Sequence, residues 1–139
     1  MRLQMAAAVF ATAFGTAVAV TGGAAAAPAQ IGNPEQGAHD FAVCSACHQV
    51  GPNAKNGVGP VLNGIVGRKA GSYPGFAYSP ANKNSGLTWT VAELQKYLAN
   101  PQKLVPGTKM PFPGLPDAAK VNNIIAYLSQ YNEKGEKTP

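Results

Sequence analysis

The pentapeptide "CSACH", residues 44–48, constrains this chain more than any other feature. It contains both cysteines of the sequence and one of its two histidines. A disulfide between Cys44 and Cys47 would close a very short loop, so it would gain little stability by restricting the unfolded chain. The two cysteines are therefore expected to serve chemistry rather than to staple the fold.

Three kinds of site use cysteines at this spacing. A thioredoxin-like redox pair requires a βαβ neighbourhood, and no nearby segment alternates like a strand. A zinc site takes three or four ligands. Cys44, Cys47 and His48 offer three, and the only other histidine is His39, a few residues upstream. Covalent haem attachment has Cys-x-x-Cys-His as its signature, because two thioether bonds fix the segment and place the histidine under the iron. We therefore predict one haem c, attached through Cys44 and Cys47, with His48 as a metal ligand.

The second axial ligand is predicted to be Met110. It lies 62 residues after His48 in "PGTKMPFPG", residues 106–114, where three prolines and two glycines exclude a helix. The alternative is a methionine that fills a gap in the core. His39 is a weaker candidate, because it precedes the attachment segment and shares the histidine side of the ring; it is expected to be an exposed helix residue. A His/Met pair is typical of cytochromes c, in which the thioether raises the potential.

The N-terminus has the pattern of a secretory signal peptide. Arg2 is followed by an uncharged, alanine-rich run to Ala29, which ends in the small-residue pattern Ala27-Pro28-Ala29. We place the cleavage after Ala29, so that residues 1–29 are removed and residues 30–139 form the mature domain. An uncleaved membrane anchor is the alternative, but threonines and glycines interrupt the run. Export to the periplasm also agrees with haem attachment, which takes place outside the bacterial cytoplasm.

The mature chain reads as short helices joined by long loops. Asn33-Pro34-Glu35 predicts the start of a helix that runs to about Cys44. Thr90-x-x-Glu93 has the pattern of a capping box, and Asn100-Pro101 should end the helix that follows it. A last helix is expected to begin at 115–117, with an apolar stripe formed by Val121, Ile124, Ile125 and Leu128. From Lys134 onward the sequence predicts a frayed polar tail.

The middle of the chain, residues 50–88, is rich in Gly, Pro, Asn and Ser. A bare loop of this length is uncommon in a compact domain, but a central haem would give it an apolar surface to pack against. Phe76, Tyr78 and Trp89 would then be buried there as aromatic core, and the Tyr78 hydroxyl and the Trp89 indole N–H could donate to the haem propionates.

With these motifs in place, the sequence resembles the class I c-type cytochromes, the soluble monohaem bacterial relatives of mitochondrial cytochrome c. The resemblance covers essentially the whole mature chain. It rests on "CSACH", "GVGPVLNGIVGRKAG", "PGFAYSPANKNSGLTW", "YLANPQK", "PGTKMPFPG" and "IIAYL", in that order.

The resemblance implies an all-α cytochrome c fold around one haem, with the first and last helices crossing. That crossing would pair Gly37 and Phe41 with Ile124 and Tyr127. The remaining implied contacts concern the haem pocket. The carbonyl of Pro60 would accept from the His48 ring, and Phe112 would cover the haem edge. Tyr78 and Trp89 would bind one propionate, whose charge Arg68 would offset. A polar network would lie near the Met110 sulfur, formed by Asn82, Tyr97 and Thr108.

The resemblance further implies a single-electron carrier rather than an enzyme. Its partners would be membrane redox complexes, namely a cytochrome bc-type donor and an oxidase or photosynthetic reaction centre as acceptor. It would dock transiently, act as a monomer and bind no nucleic acid. The alternative is a peroxidase-like haem enzyme or ligand-binding protein with an open iron.

Two departures from the mitochondrial pattern bear on docking. Pro111 and Pro113 bracket Phe112, which should stiffen that loop. The lysine ring at the haem edge is thinned to Lys103 and Lys109. Cleavage of the signal would leave ten basic and six acidic residues, a formal charge of +4, so we expect weak electrostatic steering.

Overall fold

The computed structural model describes residues 31–138. The predicted signal peptide, residues 1–29, and the predicted first mature residue, Gln30, lie outside the described residues. Within the described part the chain forms five α-helices, one 3₁₀ turn and two isolated antiparallel bridges, Lys69 with Thr88 and Tyr131 with Lys137. The helices are α1 (Pro34–Asp40), continued by the 3₁₀ turn Phe41–Val43, then α2 (Pro80–Lys83), α3 (Val91–Ala99), α4 (Pro101–Leu104) and α5 (Ala118–Ser129).

Each helix begins where the sequence supplies a polar cap. The side chains of the five N-cap residues accept hydrogen bonds from backbone N–H groups of the first turn: Asn33, Ser79, Thr90, Asn100 and Asp117. Asn100 both ends α3 and caps α4, so the predicted stop at Asn100-Pro101 is confirmed. The predicted capping box is only half formed. Thr90 Oγ1 accepts from Glu93 N at 3.2 Å, but the Glu93 carboxylate pairs instead with Lys96 Nζ at 2.8 Å.

The first and last helices cross, and α1 meets α5 over a glycine. A Cβ on Gly37 would collide with the backbone of Asn123, so only glycine permits this approach. Phe41, one turn further on, packs its ring 5.4 Å from the ring of Tyr127. The predicted pairing of Gly37 and Phe41 with Tyr127 is therefore confirmed, and Gly37 also meets the backbone of Asn123.

The hydrophobic core lies on the inner faces of α3 and α5. The predicted stripe of α5, formed by Val121, Ile124, Ile125 and Leu128, is completely buried, as are Leu94, Tyr97 and Leu98 of α3. The middle of the chain, predicted as a loop over residues 50–88, is mostly turns and irregular chain, but it also contains helix α2 and the Lys69–Thr88 bridge, which the sequence analysis did not predict. None of the helices in the described part is sufficiently long and apolar to span a lipid bilayer.

The C-terminal tail is not frayed, and that prediction was wrong. Asn132 N donates to Glu136 O at 3.0 Å, and Thr138 N donates to Gln130 O at 2.8 Å, so residues 132–138 form a closed turn. Gly135 is buried against Gly51. Composition suggested a solvated tail, but the turn is held by these backbone hydrogen bonds and by the Asn132 side chain, whose Oδ1 accepts from Lys134 N at 2.9 Å and from Glu136 N at 3.0 Å.

Candidate cofactor site

A deep apolar cleft of about 310 Å³ opens between the attachment segment, the loops of the middle segment and the segment that carries Met110. All twelve residues that the sequence analysis assigned to the cofactor line it: Cys44, Cys47, His48, Pro60, Arg68, Tyr78, Asn82, Trp89, Tyr97, Thr108, Met110 and Phe112. Positions spread over nearly 70 residues of sequence thus face one space, as a single bound group would require.

The attachment segment leaves α1 as a tight turn. His48 N donates to Cys44 O at 2.9 Å, and Cys47 N donates to the same carbonyl at 3.1 Å, so both thiols and the imidazole reach the cleft. The thiols are half-buried and not joined to each other. Burial, with the neighbouring Cys47 adding to it, raises the pKa of Cys44 to about 11. A redox-active dithiol needs a lowered thiol pKa, so the structure does not favour the redox-pair alternative.

His48 is oriented by the loop that follows it. Its Nδ1 lies 2.7 Å from the carbonyl oxygen of Pro60. Because a carbonyl can only accept, Nδ1 carries the proton and Nε2 is left with a free lone pair. Burial lowers the pKa of His48, and the positive charge of Arg68 lowers it further. The hydrogen bond to Pro60 acts in the opposite direction and raises this pKa. The ring is thus held neutral, as a metal ligand must be.

Gly59 is a site residue that the sequence analysis missed. A Cβ there would collide with the His48 ring, with Nδ1 only 2.7 Å away, so a side chain at this position would displace the imidazole. Gly59 N also donates to Cys47 O at 2.9 Å, which ties the two segments together. The sequence offered one indication of this role, a glycine directly before Pro60 in "GVGP". Nothing in that run indicated which side chain Gly59 approaches.

Met110 lies in an extended segment held mainly at its start. Thr108 Oγ1 lies 2.9 Å from Tyr97 Oη of α3, and Met110 N donates to Thr108 Oγ1 at 3.4 Å. Gln102 of α4 donates to the Thr108 carbonyl at 3.2 Å. Helices α3 and α4 therefore fix the residue from which the Met110 side chain enters the cleft.

The implied polar network near Met110 is only partly formed. Tyr97 and Thr108 are linked, but the buried Oδ1 of Asn82 has no hydrogen-bond partner. A buried polar atom without a partner is uncommon and indicates an interaction with something in the cleft. Burial raises the pKa of Tyr97, and the Thr108 hydroxyl and the nearby Asn82 side chain act against it, although Asn82 makes no hydrogen bond of good geometry with Tyr97.

Arg68, Tyr78 and Trp89 form the polar end of the cleft. Arg68 donates to the carbonyl oxygens of Asn63 at 2.9 Å and Val61 at 3.0 Å, and its guanidinium lies 4.9 Å from the centre of the Tyr73 ring. The Tyr78 hydroxyl accepts from Tyr73 N at 3.3 Å, which leaves its own proton available. Arg68 therefore braces a loop in addition to placing a positive charge at this end.

The cleft residues fit a haem. Apolar side chains provide most of the lining, two thiols and a neutral imidazole come from one short turn, and a thioether comes from a distant segment. Zinc is not supported, because no three His, Cys, Asp or Glu side chains in residues 31–138 converge on a possible metal position.

The comparisons with known proteins agree with this site. Cytochrome c2 from Rhodoblastus acidophilus is 60% identical over 106 residues, which are 76% of this chain and 99% of the relative. Cytochrome c-550 from Nitrobacter winogradskyi is 49% identical over 76% of this chain and 96% of its own length. Among solved structures, cytochrome cH from Methylobacterium extorquens has a TM-score of 0.68 at 54% identity, covering 71% of this chain and 99% of its own. No family model matches the chain.

On this similarity the chain belongs to the class I c-type cytochromes. It therefore has the cytochrome c fold and carries one covalent haem c, for which Cys44 and Cys47 have the required spacing. It is an electron-transfer protein rather than an enzyme, so the peroxidase-like alternative is not supported.

Proposed function

We propose that this protein is a soluble periplasmic single-electron carrier whose haem iron is ligated by His48 and Met110. The observation that carries the proposal is that a neutral imidazole with a free Nε2 and the only methionine of the described residues line the same cleft as the two thiols. When bound, the haem supplies a reversible one-electron couple, and two protein ligands would leave no open position for a substrate.

The chain's own residues hold, tune and shield that couple. The Pro60 carbonyl would fix the His48 ring and increase its basicity, as hydrogen bonds to metal-bound histidines do. Tyr97 and Thr108 would hold the Met110 segment, and Asn82 would contribute the polar atom that has no other partner. Tyr78 and Trp89 would donate to a propionate near Arg68, and Phe112 would cover the edge of the ring.

We further propose that residues 1–29 are a cleaved secretory signal and that residues 30–139 are the mature domain. The support is the sequence pattern itself: an N-terminal charge, an apolar run and a small-residue cleavage site.

The mouth of the cleft is the proposed docking face for membrane redox complexes. Val43 and Val58 are 54% and 73% exposed there, although both are large apolar residues. Lys109 also lines the mouth, and no acidic side chain lines the cleft. An apolar centre with a sparse positive rim suits brief docking of a monomer to acidic partners, such as a cytochrome bc-type donor and an oxidase or reaction centre as acceptor.

An optical redox titration of the exported protein tests the proposal. We expect one covalently bound haem per chain by mass spectrometry, a single one-electron transition, and the low-spin spectrum with a sulfur-to-iron band that His/Met ligation produces. Ready binding of carbon monoxide by the reduced protein at neutral pH would show an open iron and overturn the ligand assignment.

A further inference from the structure

We propose that Asn63, together with the C-terminal turn packed on it, positions the Pro60 carbonyl and through it the His48 ring. The proposal rests on the proposed role of His48 as an axial ligand. Asn63 does not line the cofactor cleft, so it would act as a positioning residue and not through contact with the haem.

The Asn63 side-chain amide forms two hydrogen bonds with the backbone of Gly51, on the other side of the loop; we call this the amide pair. Its Oδ1 accepts from Gly51 N at 2.8 Å, and its Nδ2 donates to Gly51 O at 2.9 Å. Asn63 is only 5% exposed, so these bonds are made away from water. Loss of the amide would leave the buried N–H and C=O groups of Gly51 without partners. An unpaired buried polar group destabilises the fold by its full desolvation free energy.

The pair lies in register with the histidine hydrogen bond. Gly51 follows His48 by three residues, and Asn63 follows Pro60 by three residues. Between the two, Leu62 N donates to Gln49 O at 3.0 Å. Three contacts therefore join the two arms of the loop in succession: His48–Pro60, Gln49–Leu62 and Gly51–Asn63. Loss of the Gly51–Asn63 contact would let the arms separate and would loosen the hydrogen bond between His48 and Pro60.

The C-terminal turn closes this loop from outside. A Cβ on Gly135 would collide with the Gly51 carbonyl and lie 2.6 Å from Asn63 Nδ2, so the tail backbone lies directly on the amide pair. Gly64 N also donates to Tyr131 O at 3.2 Å. The turn thus excludes water from the pair and holds the end of the 60–64 segment. This gives the ordered tail a role that its polar composition did not suggest.

Hydrogen exchange of the His48 ring N–H in the haem-loaded protein tests the inference. Asn63→Ala removes the amide pair, and Gly135→Ala places a methyl group against the Gly51 carbonyl and Asn63 Nδ2, so that it displaces the tail without removing the amide. We expect the protection of the His48 Nδ1 proton to fall about tenfold in Asn63→Ala beyond what the variant's global stability explains, since an unpaired buried group costs enough for such a change. Gly135→Ala should change it in the same direction, and in both variants the Nδ1 proton resonance should shift.

Asn122→Ala is the matched control. It also removes a half-buried asparagine amide, which accepts from Gln95 Nε2 at 2.8 Å, but between α3 and α5 and away from the cleft lining. A merely structural role for Asn63 predicts that Asn63→Ala and Asn122→Ala show equal His48 protection once each is corrected for global stability. That result would overturn the inference.

Two further outcomes are distinguishable. If Asn63→Ala does not fold, Gly135→Ala decides alone, and wild-type protection of His48 in that folded variant would overturn the inference. If His48 is not a ligand, the wild-type protein itself will lack the strongly shifted His48 ring resonances that a haem-bound imidazole shows. That result refutes the proposed ligation before any variant is compared.

Discussion

Met110, as the proposed second axial ligand, would limit the chemistry of this protein to electron transfer. Its backbone N–H is held by Thr108, which is itself held by Tyr97, so the thioether enters the cleft from a fixed point. Pro111 and Pro113 follow on either side of Phe112 and restrict the backbone further. The Met110 sulfur could therefore leave the cleft only if the backbone of this segment changed its conformation.

Replacement of Met110 separates ligation from packing. We expect both Met110→Ala and Met110→Leu to retain the covalent haem, to lower the potential and to allow carbon monoxide to bind the reduced protein, because both lack the thioether that stabilises reduced iron. Met110→Leu keeps the apolar volume, so its stability should remain near that of the wild type. A potential unchanged in either variant, measured by redox titration, would contradict the ligand assignment.

At the scale of elements, the crossing of α1 and α5 places the attachment segment. Helix α1 continues through the 3₁₀ turn directly into Cys44, so the position of the cysteines follows from how α1 lies on α5. That contact depends on the missing side chain of Gly37 and on the aromatic pair of Phe41 and Tyr127. The hydrogen bond from Asn123 Nδ2 to Asp40 adds a polar link at the same place.

Gly37→Ala should weaken this crossing. Its methyl group would meet the Asn123 backbone, which cannot move aside as a flexible side chain could, so we expect a loss of about 1–3 kcal/mol in the free energy of unfolding. Ala38→Ser, at the exposed neighbouring position, is the control and should change stability by less than about 0.5 kcal/mol. Denaturant unfolding of both haem-loaded variants measures the difference, and equal midpoints would show that the helices can separate without cost.

At the scale of the whole molecule, charge is unevenly distributed along the chain. No acidic residue occurs from Phe41 to Ala92 or from Leu94 to Pro116, the two stretches that provide nearly all of the cleft lining. The acidic residues lie on the crossing helices, at the start of α3 and in the C-terminal turn. The cleft mouth is therefore positive although its lysines are few, which favours an acidic partner with modest steering.

Charge reversal on α4 and in the C-terminal turn tests this. Lys103→Glu on α4 should slow reaction with an acidic redox partner by roughly threefold to tenfold at low salt, and the difference should shrink as salt screens the charges. Lys134→Glu, which makes the same charge change in the C-terminal turn, is the control and should react at close to the wild-type rate. Stopped-flow kinetics over a range of ionic strength measures both, and equal slowing would assign the effect to net charge alone.

The local features of the site were predictable because each depends on residues close in sequence. The Cys-x-x-Cys-His spacing indicated the cofactor, Asn-Pro and Thr-x-x-Glu marked helix ends, and the 3.6-residue stripe of α5 marked its buried face. The capping box and the tail were less successful. Glu93 had a competing partner in Lys96, and the tail is closed by backbone bonds and by the Asn132 side chain, which its overall polar composition did not single out.

By itself, the sequence indicated covalent haem attachment at Cys44 and Cys47 and the positions of three of the five helices, α1, α3 and α5. Only the tertiary structure decided that Gly59 lies against the His48 ring, that the Oδ1 of Asn82 is buried without a partner, and that Asn63 joins Gly51 beneath Gly135. The physical reason is that spacing constrains neighbours along the chain. Close approach between segments depends instead on how the chain packs in three dimensions.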